Sequence, residues 1–510
     1  MPTLRLIFGD QLSHDISALD DVSAGDVVVL AETIAETTHV KHHQQKLVLF
    51  LSAMRHFASE LEDAGHRVRY FALDGATAAA SHDAAIATCL EENECDRIVT
   101  TWPGDWRVLE MVRRWERDFD LPVEIREDSR FLCQRATFEA WADGRKDFLL
   151  EDFYRFMRKR TGMLMNDQGK PVSGQWNYDK DNRKAPAGEL DLPAPYRARN
   201  DDLTRDVIAL VKDRFADHPG DAEDFDWAVT REQAKRALDR FVDVHLPHFG
   251  DYQDAMLKGE TFMHHSILSP YLNIGLLSPR EACDAALQAF EAGKAPINAV
   301  EGFIRQVLGW REYIHGLYWH CMPDYAEKNA LAAREDMPAL YWTADTDMAC
   351  MRDAVTNLKQ HAYAHHIQRL MVLGLFAQLF GIDPRQFNAW HMSMYIDSVD
   401  WVSLPNAQGM SQFADGGIVG TKPYCASGAY IDRMSNYCGQ CRFKPKQASG
   451  EKACPFTTLY WDFLARHQET LANNHRMGFQ MKNLARKSKD DMDAIRQQAD
   501  TLRKELARDD

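Results

Sequence analysis

What this chain of 510 residues lacks narrows it before anything it contains does. Ten cysteines are too thinly spread for a disulfide scaffold, so the expectation is a cytoplasmic protein with reduced thiols. The longest apolar runs, such as "DVVVLAET", are strand length. None approaches the roughly 18–20 apolar residues that a membrane span needs. The opening "MPTLRLIFGDQL" runs straight into a strand pattern and lacks a signal-peptide layout. Positive charge is also short: 60 Lys and Arg against 76 Asp and Glu leave −16. That total excludes indiscriminate coating of nucleic acid or anionic membrane, although a local basic groove remains compatible with it. No G-x-G-x-x-G, no Walker A loop and no internal repeat is present.

What is present falls into three stretches. Residues 1–130 alternate between two periods. "TLRLIFG", "DVVVLAE", "RVRYFAL", "DRIVTTW" and "PVEIRED" read as strands, while "HHQQKLVLFLSAMRHFASELEDAG" and "WRVLEMVRRWERDF" have helical spacing. Alternation of this kind predicts an α/β domain with a doubly wound parallel sheet, whose ligands sit beyond the carboxyl ends of the strands. Those ends are "FGDQL", "AETIAE" and "TTWPGDW". Residues 131–229 carry clustered Gly, Pro and charge and read as a partly irregular connector. From 230 to 510 the pattern is helical almost throughout, which predicts a large all-α domain. The charged tail after Lys482 reads as a solvated helix. Length alone argues for more than one domain.

Near the C-terminus, Cys438, Cys441 and Cys454 form C-x₂-C-x₁₂-C. A thiolate centre needs a fourth ligand. Zinc and an iron–sulfur cluster both remain open on spacing, as do three buried free thiols. The fourth ligand is Cys350 or Cys425.

The helical half adds four segments: "LSPYLNIGLLSPR", "GFIRQVLGWREY", "AYAHHIQRLM" and "DWVSLPNAQGMSQFADGG". Singly, a histidine pair or a helical Trp is more often packing than chemistry. In this order, with the opening "FGDQL" and the cysteines, they resemble the photolyase/cryptochrome superfamily along essentially the whole chain. Within it, the chain is similar to the iron–sulfur bacterial cryptochromes and photolyases, also called prokaryotic (6-4) photolyases.

The resemblance implies FAD in the helical domain, with phosphate and ribityl contacts from Ser266, Leu268, Ser269, Gln306 and Arg311. It implies Arg369 paired with Asp397 across the flavin ring, and Ser403 or Asn406 near flavin N5. A [4Fe–4S] cluster on Cys350, Cys438, Cys441 and Cys454 follows from it, as does a 6,7-dimethyl-8-ribityllumazine antenna at the strand ends, where Asp10, Gln11 and Glu36 offer polar groups. "HHIQR" is similar to the "HHLAR" of eukaryotic (6-4) photolyases. That makes His366 the proton donor with His365 in support. The histidine that those enzymes carry one turn further is Leu370 here, so Tyr424 or water takes the second role. Trp390, Tyr430 and Trp342 are the expected electron relay. UV-damaged DNA is the expected partner of a monomeric light-driven repair enzyme. "QWNYDKDNRK" (175–184) and "GTKPYCASGAYIDR" (420–433) mix cations with aromatics as its contact loops, and Met410 and Tyr424 are expected to wall a pocket for the flipped lesion. The competing expectations are a blue-light photoreceptor with the same cofactors and a helical iron–sulfur nucleic-acid module.

Overall fold

The protein is described by a computed structural model over residues 2–186 and 190–507. Five short strands come first: β1 (Thr3–Leu6), β2 (Val27–Ala31), β3 (Val68–Phe71), β4 (Arg97–Thr101) and β5 (Val123–Arg126). They lie in the order β3-β2-β1-β4-β5, with every neighbouring pair parallel. Leu4 faces Val27 on one side of β1 and Ile98 on the other. The chain reverses its winding at β1, so the carboxyl ends of β1, β2 and β4 frame one crevice.

The alternation in the strands is that of a sheet covered on both faces. Leu4, Leu6, Val27 and Val29 pack with Ala85, Val112 and Trp115 on one face. Val28 and Leu30 point to the other, against Leu47, Leu51 and Phe57 of the helix Gln44–Asp63. That helix stops where Gly65 turns the chain at φ +89°, a conformation costly for any residue with a Cβ. The Asp105 side chain caps the helix Trp106–Phe119 by accepting from Arg107 N. Helix His82–Glu92, capped by Ser81, was not legible as a separate element; its alanine-rich run carries little amphipathic signal.

The expected connector is more ordered than its composition suggests. It holds helices Arg135–Ala142, Leu150–Thr161 and Asp202–Arg214. Phe138, Trp141, Phe153 and Tyr154 join the same core as Leu268, Phe303 and Trp401 of the helical half. Aromatic anchoring outweighs the local Gly, Pro and charge. The tail is likewise packed: helix Lys489–Leu506 buries Ile495 and Ala499, and Arg503 reaches Asp462 at 2.6 Å.

A second core surrounds Cys350, Trp390, Cys454 and Phe456. Among the described residues the helical half contains four π-helical turns, at Phe241–His245, Arg305–Arg311, Arg369–Gly374 and Pro405–Ser411. Such turns rotate the side chains that follow and are frequent at functional sites. Among the described residues no helix is long and apolar enough to cross a membrane.

Candidate active site and cofactor cavities

The last three of these turns converge on one cavity of about 1000 Å³. Gln306 and Arg311 reach it from the first of the three, Arg369 and Leu370 from the second, Asn406 and Met410 from the third. Ser266 and Ser269 line it from the loop and short helix before Asn273, and Asp397 faces it from the loop after helix Pro384–Met394.

Arg369 grips Asp397 with both terminal nitrogens, at 2.9 and 3.0 Å. Ser269 Oγ donates to the same carboxylate at 2.6 Å, and Asn273 Nδ2 to the Asp397 carbonyl at 2.8 Å. Burial alone would raise the Asp397 pKa. The Arg369 charge and these hydrogen bonds outweigh it and hold the carboxyl below its usual value. The third Arg369 nitrogen donates to the Ala364 carbonyl at 2.6 Å, and the guanidinium lies 4.1 Å over the Tyr395 ring. This is a fixed, bidentate ion pair rather than a mobile surface contact.

Other groups in the wall have no partner. Arg311 gives Nη1 to Glu312 at 2.7 Å, but its buried Nε and Nη2 are unpaired. The buried indole N–H of Trp401 and Nε2 of His265 are unpaired too. Unsatisfied buried donors cost about 1–3 kcal/mol each. A cavity so lined fits a large ligand rich in oxygen acceptors, phosphate included. Trp401 and His265 were absent from the sequence-derived site, although both lie in or beside quoted motifs.

His366 presents its ring to this cavity. It has accessible surface there but sits deep in the protein, and burial, then the Arg369 charge, lower its pKa to about 4. This favours the neutral imidazole at pH 7, so a proton donor here must first be charged from solvent. His365 does not reach the cavity. It is fully buried, its ring stacked on His265 at 4.6 Å. Leu268 is fully buried as well and offers the cavity no side chain. Of the two residues left open, Asn406 faces the cavity, accepting from Trp310 Nε1 at 3.0 Å. Ser403 turns away to His391 Nδ1 at 2.9 Å.

Tyr424, 37% exposed, stands in the cavity wall with Tyr430. Both expected contact loops arrive there: Asp179 and Arg183 from the first, Lys422 and Arg433 from the second, joined by Arg476. Trp390 is buried, edge-on to Tyr341 at 5.0 Å and to Tyr395 at 5.8 Å, behind the wall. Trp342 is 40% exposed and adjoins Tyr341 in the chain.

A second cavity, about 150 Å³, occupies the crevice at the strand ends. Asp10 and Glu36 line it; Gln11 does not. The Gln11 amide is spent on the backbone, donating to the Trp102 carbonyl at 3.0 Å, so it ties β1 to β4. Glu36 is paired with Arg107 at 2.7 and 2.9 Å. Lys46, which also lines the crevice, donates to the Met392 carbonyl at 2.9 Å, and burial lowers its pKa to about 7. Ser398 lines both this crevice and the large cavity.

The third cavity, about 10 Å³, is lined by Cys350, Cys438, Cys441 and Cys454. Cys425 is elsewhere. Burial first, then the charges of the other three, raises the Cys350 thiol. A Cβ on Gly428 would stand 2.7 Å from Cys454 Sγ, so glycine keeps this space open. Among the described residues no group of three or more His, Cys, Asp or Glu could hold a single metal ion.

Comparison with known proteins gives a consistent relationship. Residues 5–227 match the family described as deoxyribodipyrimidine photo-lyase-related protein. A (6-4) photolyase of Agrobacterium fabrum is 47% identical over 507 residues, covering 99% of this chain and all of that one. The fold is similar to that of a bacterial class III photolyase from Agrobacterium tumefaciens, with a TM-score of 0.55, 17% identity and coverage of 85% of this chain and 86% of that one. A Synechocystis cryptochrome gives a TM-score of 0.52 at 13% identity, over 92% of this chain and 94% of that one. A parallel-sheet domain joined to a large helical domain, matched end to end at 47% identity, places the chain in the photolyase/cryptochrome superfamily, closely related to a bacterial (6-4) photolyase.

Proposed function

We propose that the chain is a light-dependent (6-4) photolyase, which draws a (6-4) pyrimidine pair out of UV-damaged DNA and reverses it. The observation that carries this reading is an imidazole, His366, opening onto the same cavity as the Arg369–Asp397 pair, in a chain that matches a (6-4) photolyase over its full length. A cavity of about 1000 Å³ with the partly paired Arg311 guanidinium in its wall fits FAD. Reduced FAD, when bound, supplies the light-driven electron.

The chain's own residues do the rest. Ser266, Ser269, Gln306 and Arg311 hold phosphate and ribityl oxygens, Leu268 only through its backbone. Arg369, locked by Asp397, keeps a positive charge beside the bound ring and favours an anionic reduced form. Asn406 offers an amide on the same wall. Extrusion of the lesion costs a few kcal/mol of stacking, less where the duplex is already distorted. His366, once it has taken up a proton from solvent, would lend that proton to the hydroxyl as it returns to the 5′ base and then recover it, so the imidazole ends as it began. Leu370 makes the wall apolar one turn on, so the second polar role falls to Tyr424 or water, and Met410 walls the pocket. His365, off the cavity, supports the loop through its stack on His265. Trp390 and Trp342, with Tyr430 at the wall, relay electrons inward from solvent.

Two further cofactors fit. Cys350, Cys438, Cys441 and Cys454 line one small cavity and would be the four thiolates of a [4Fe–4S] cluster. The crevice of about 150 Å³ with Asp10 and Glu36 suits a compact bicyclic antenna such as 6,7-dimethyl-8-ribityllumazine.

The test is direct. Reduced, FAD-loaded protein is illuminated with an oligonucleotide bearing one (6-4) lesion, with a cyclobutane dimer as control, and the lesion is followed by chromatography. Loss of the (6-4) lesion is expected. Absence of turnover would overturn repair in favour of a photoreceptor. The absorption spectrum of the same sample reports flavin, antenna and iron–sulfur separately, and zinc would be silent.

A further inference from the structure

Residues 470–489 run "TLANNHRMGFQMKNLARKSK". The stretch holds five Lys or Arg and no acid, in a chain whose total is −16. The structure folds it as the turn His475–Met477 and the helix Gly478–Leu484. Met477 and Leu484 face inward and are buried, so they anchor the segment. The outward stripe, at helical spacing of three and four residues, is Arg476, Phe479, Lys482 and Arg486. Phe479 is 72% exposed, far more than any other large hydrophobic side chain among the described residues, the next being 44%.

This stripe begins at the site. Arg476 is itself in the wall of the large cavity. Asn474 Nδ2 donates to the Thr421 carbonyl at 2.9 Å and Arg476 Nη1 to Thr421 Oγ1 at 2.5 Å, tying the segment to the loop that carries Lys422 and Tyr424. The stripe sets a bare phenyl ring between cations, three residues from Arg476 in the cavity wall. Its charge complements a phosphate backbone. An everted base pair leaves a gap in the stack, and apolar side chains are what proteins insert into such gaps.

We propose that Arg476, Lys482 and Arg486 follow the backbone of duplex DNA beside the lesion, and that Phe479 enters the base stack where the lesion has left it. The proposal rests on the DNA-repair reading above and names a positioning residue for it. Phe479 stabilises the everted state and takes no part in the photochemistry.

Full-length, FAD-loaded F479A, F479W and the double variant K482A/R486A test it. The probe is a duplex with one (6-4) lesion and 2-aminopurine opposite it; the same lesion in a single strand is the control. Expected for F479A is a roughly tenfold or greater loss of affinity for the lesion duplex. The 2-aminopurine signal that reports eversion should fall with it. Single-strand affinity should hold, and F479W should restore both duplex readouts. K482A/R486A should weaken all duplexes alike and lower the salt slope of binding by about 2. Flavin absorption and thermal unfolding identify a variant that fails to fold. In that event F479L, apolar but flat on no base, replaces F479A and should show the same selective loss. Unchanged duplex affinity, or an equal loss on the single strand, overturns the wedge. A retained salt slope overturns the backbone track. If the wild-type protein binds no lesion at all, the DNA-repair reading fails instead, so the two failures are distinguishable.

Discussion

The large cavity and the strand-end crevice are both lined by charge, yet the charges are satisfied differently. In the crevice Glu36 has Arg107, Lys46 has the Met392 carbonyl and Asp10 has Arg130, and the buried atoms left unpaired are the neutral ring nitrogens His42 Nδ1 and His82 Nδ1. In the large cavity Arg369 and Asp397 satisfy each other, but Arg311, Trp401 and His265 keep unpaired buried donors. Unmet hydrogen-bonding capacity in a dry wall is stabilised only by a ligand. The large cavity, where a guanidinium is only partly paired, should therefore gain more stability from its occupant than the crevice, where Glu36, Lys46 and Asp10 each have a partner. Ser398, common to both walls, sets the two cavities side by side.

That contrast can be broken or sharpened in several ways, and the largest effect belongs to chemistry. His366→Ala should lower (6-4) repair by at least about 100-fold while flavin absorption persists. Unchanged repair would remove His366 from its role. Next in size, Asp397→Ala leaves the Arg369 guanidinium buried and unpaired, a loss of roughly 3–5 kcal/mol. Thermal unfolding with and without FAD measures it, and retention of both flavin and stability would show that the pair is dispensable. Acid should produce a graded effect. Burial lowers the pKa of His43 to about 4 and of His391 to about 3. Below about pH 6.5 the unfolded chain takes up protons that the folded one refuses, so stability is full above that pH. It should decline as pH falls toward 4 and 3; flat stability between pH 7 and 4 would contradict the burial of neutral imidazoles. The smallest effect is at the crevice. Arg107→Ala removes a partly exposed ion pair with Glu36 and should cost under about 1 kcal/mol. A larger cost would mean that the crevice, too, is held open by a strained network.

Legibility in the sequence followed the range of the interactions. All five strands and the helices Gln44–Asp63 and Trp106–Phe119 match their apolar period, because the faces of a covered parallel sheet are written in neighbouring residues. Helix His82–Glu92 was missed because alanine has high helix propensity but little contrast between faces. The three helices between 131 and 229 were obscured by Gly, Pro and charge, and stand because Trp141, Phe153 and Tyr154 reach a distant core. Within the site, Ser266, Ser269, Gln306, Arg369 and Asp397 were legible as family-like motifs. The positions of Leu268, His365 and Gln11 were not, since each belongs to the right segment but turns its side chain elsewhere. Arg476 and Phe479 lie just before the charged tail, in a stretch that belongs to none of the quoted motifs.

The sequence by itself determined the βα alternation of the first 130 residues, the helical character of the second half and three of the cysteines able to share one centre. Tertiary structure alone decided that Ser266, Gln306, Arg369, Asp397 and Tyr424 face a single cavity, that Asn406 rather than Ser403 looks into it, and that Cys350 rather than Cys425 joins the other three thiols. Periodicity is a property of residues a few positions apart. The facing of a side chain depends on helix rotation, here altered at three π-helical turns, and on packing between segments more than a hundred residues apart.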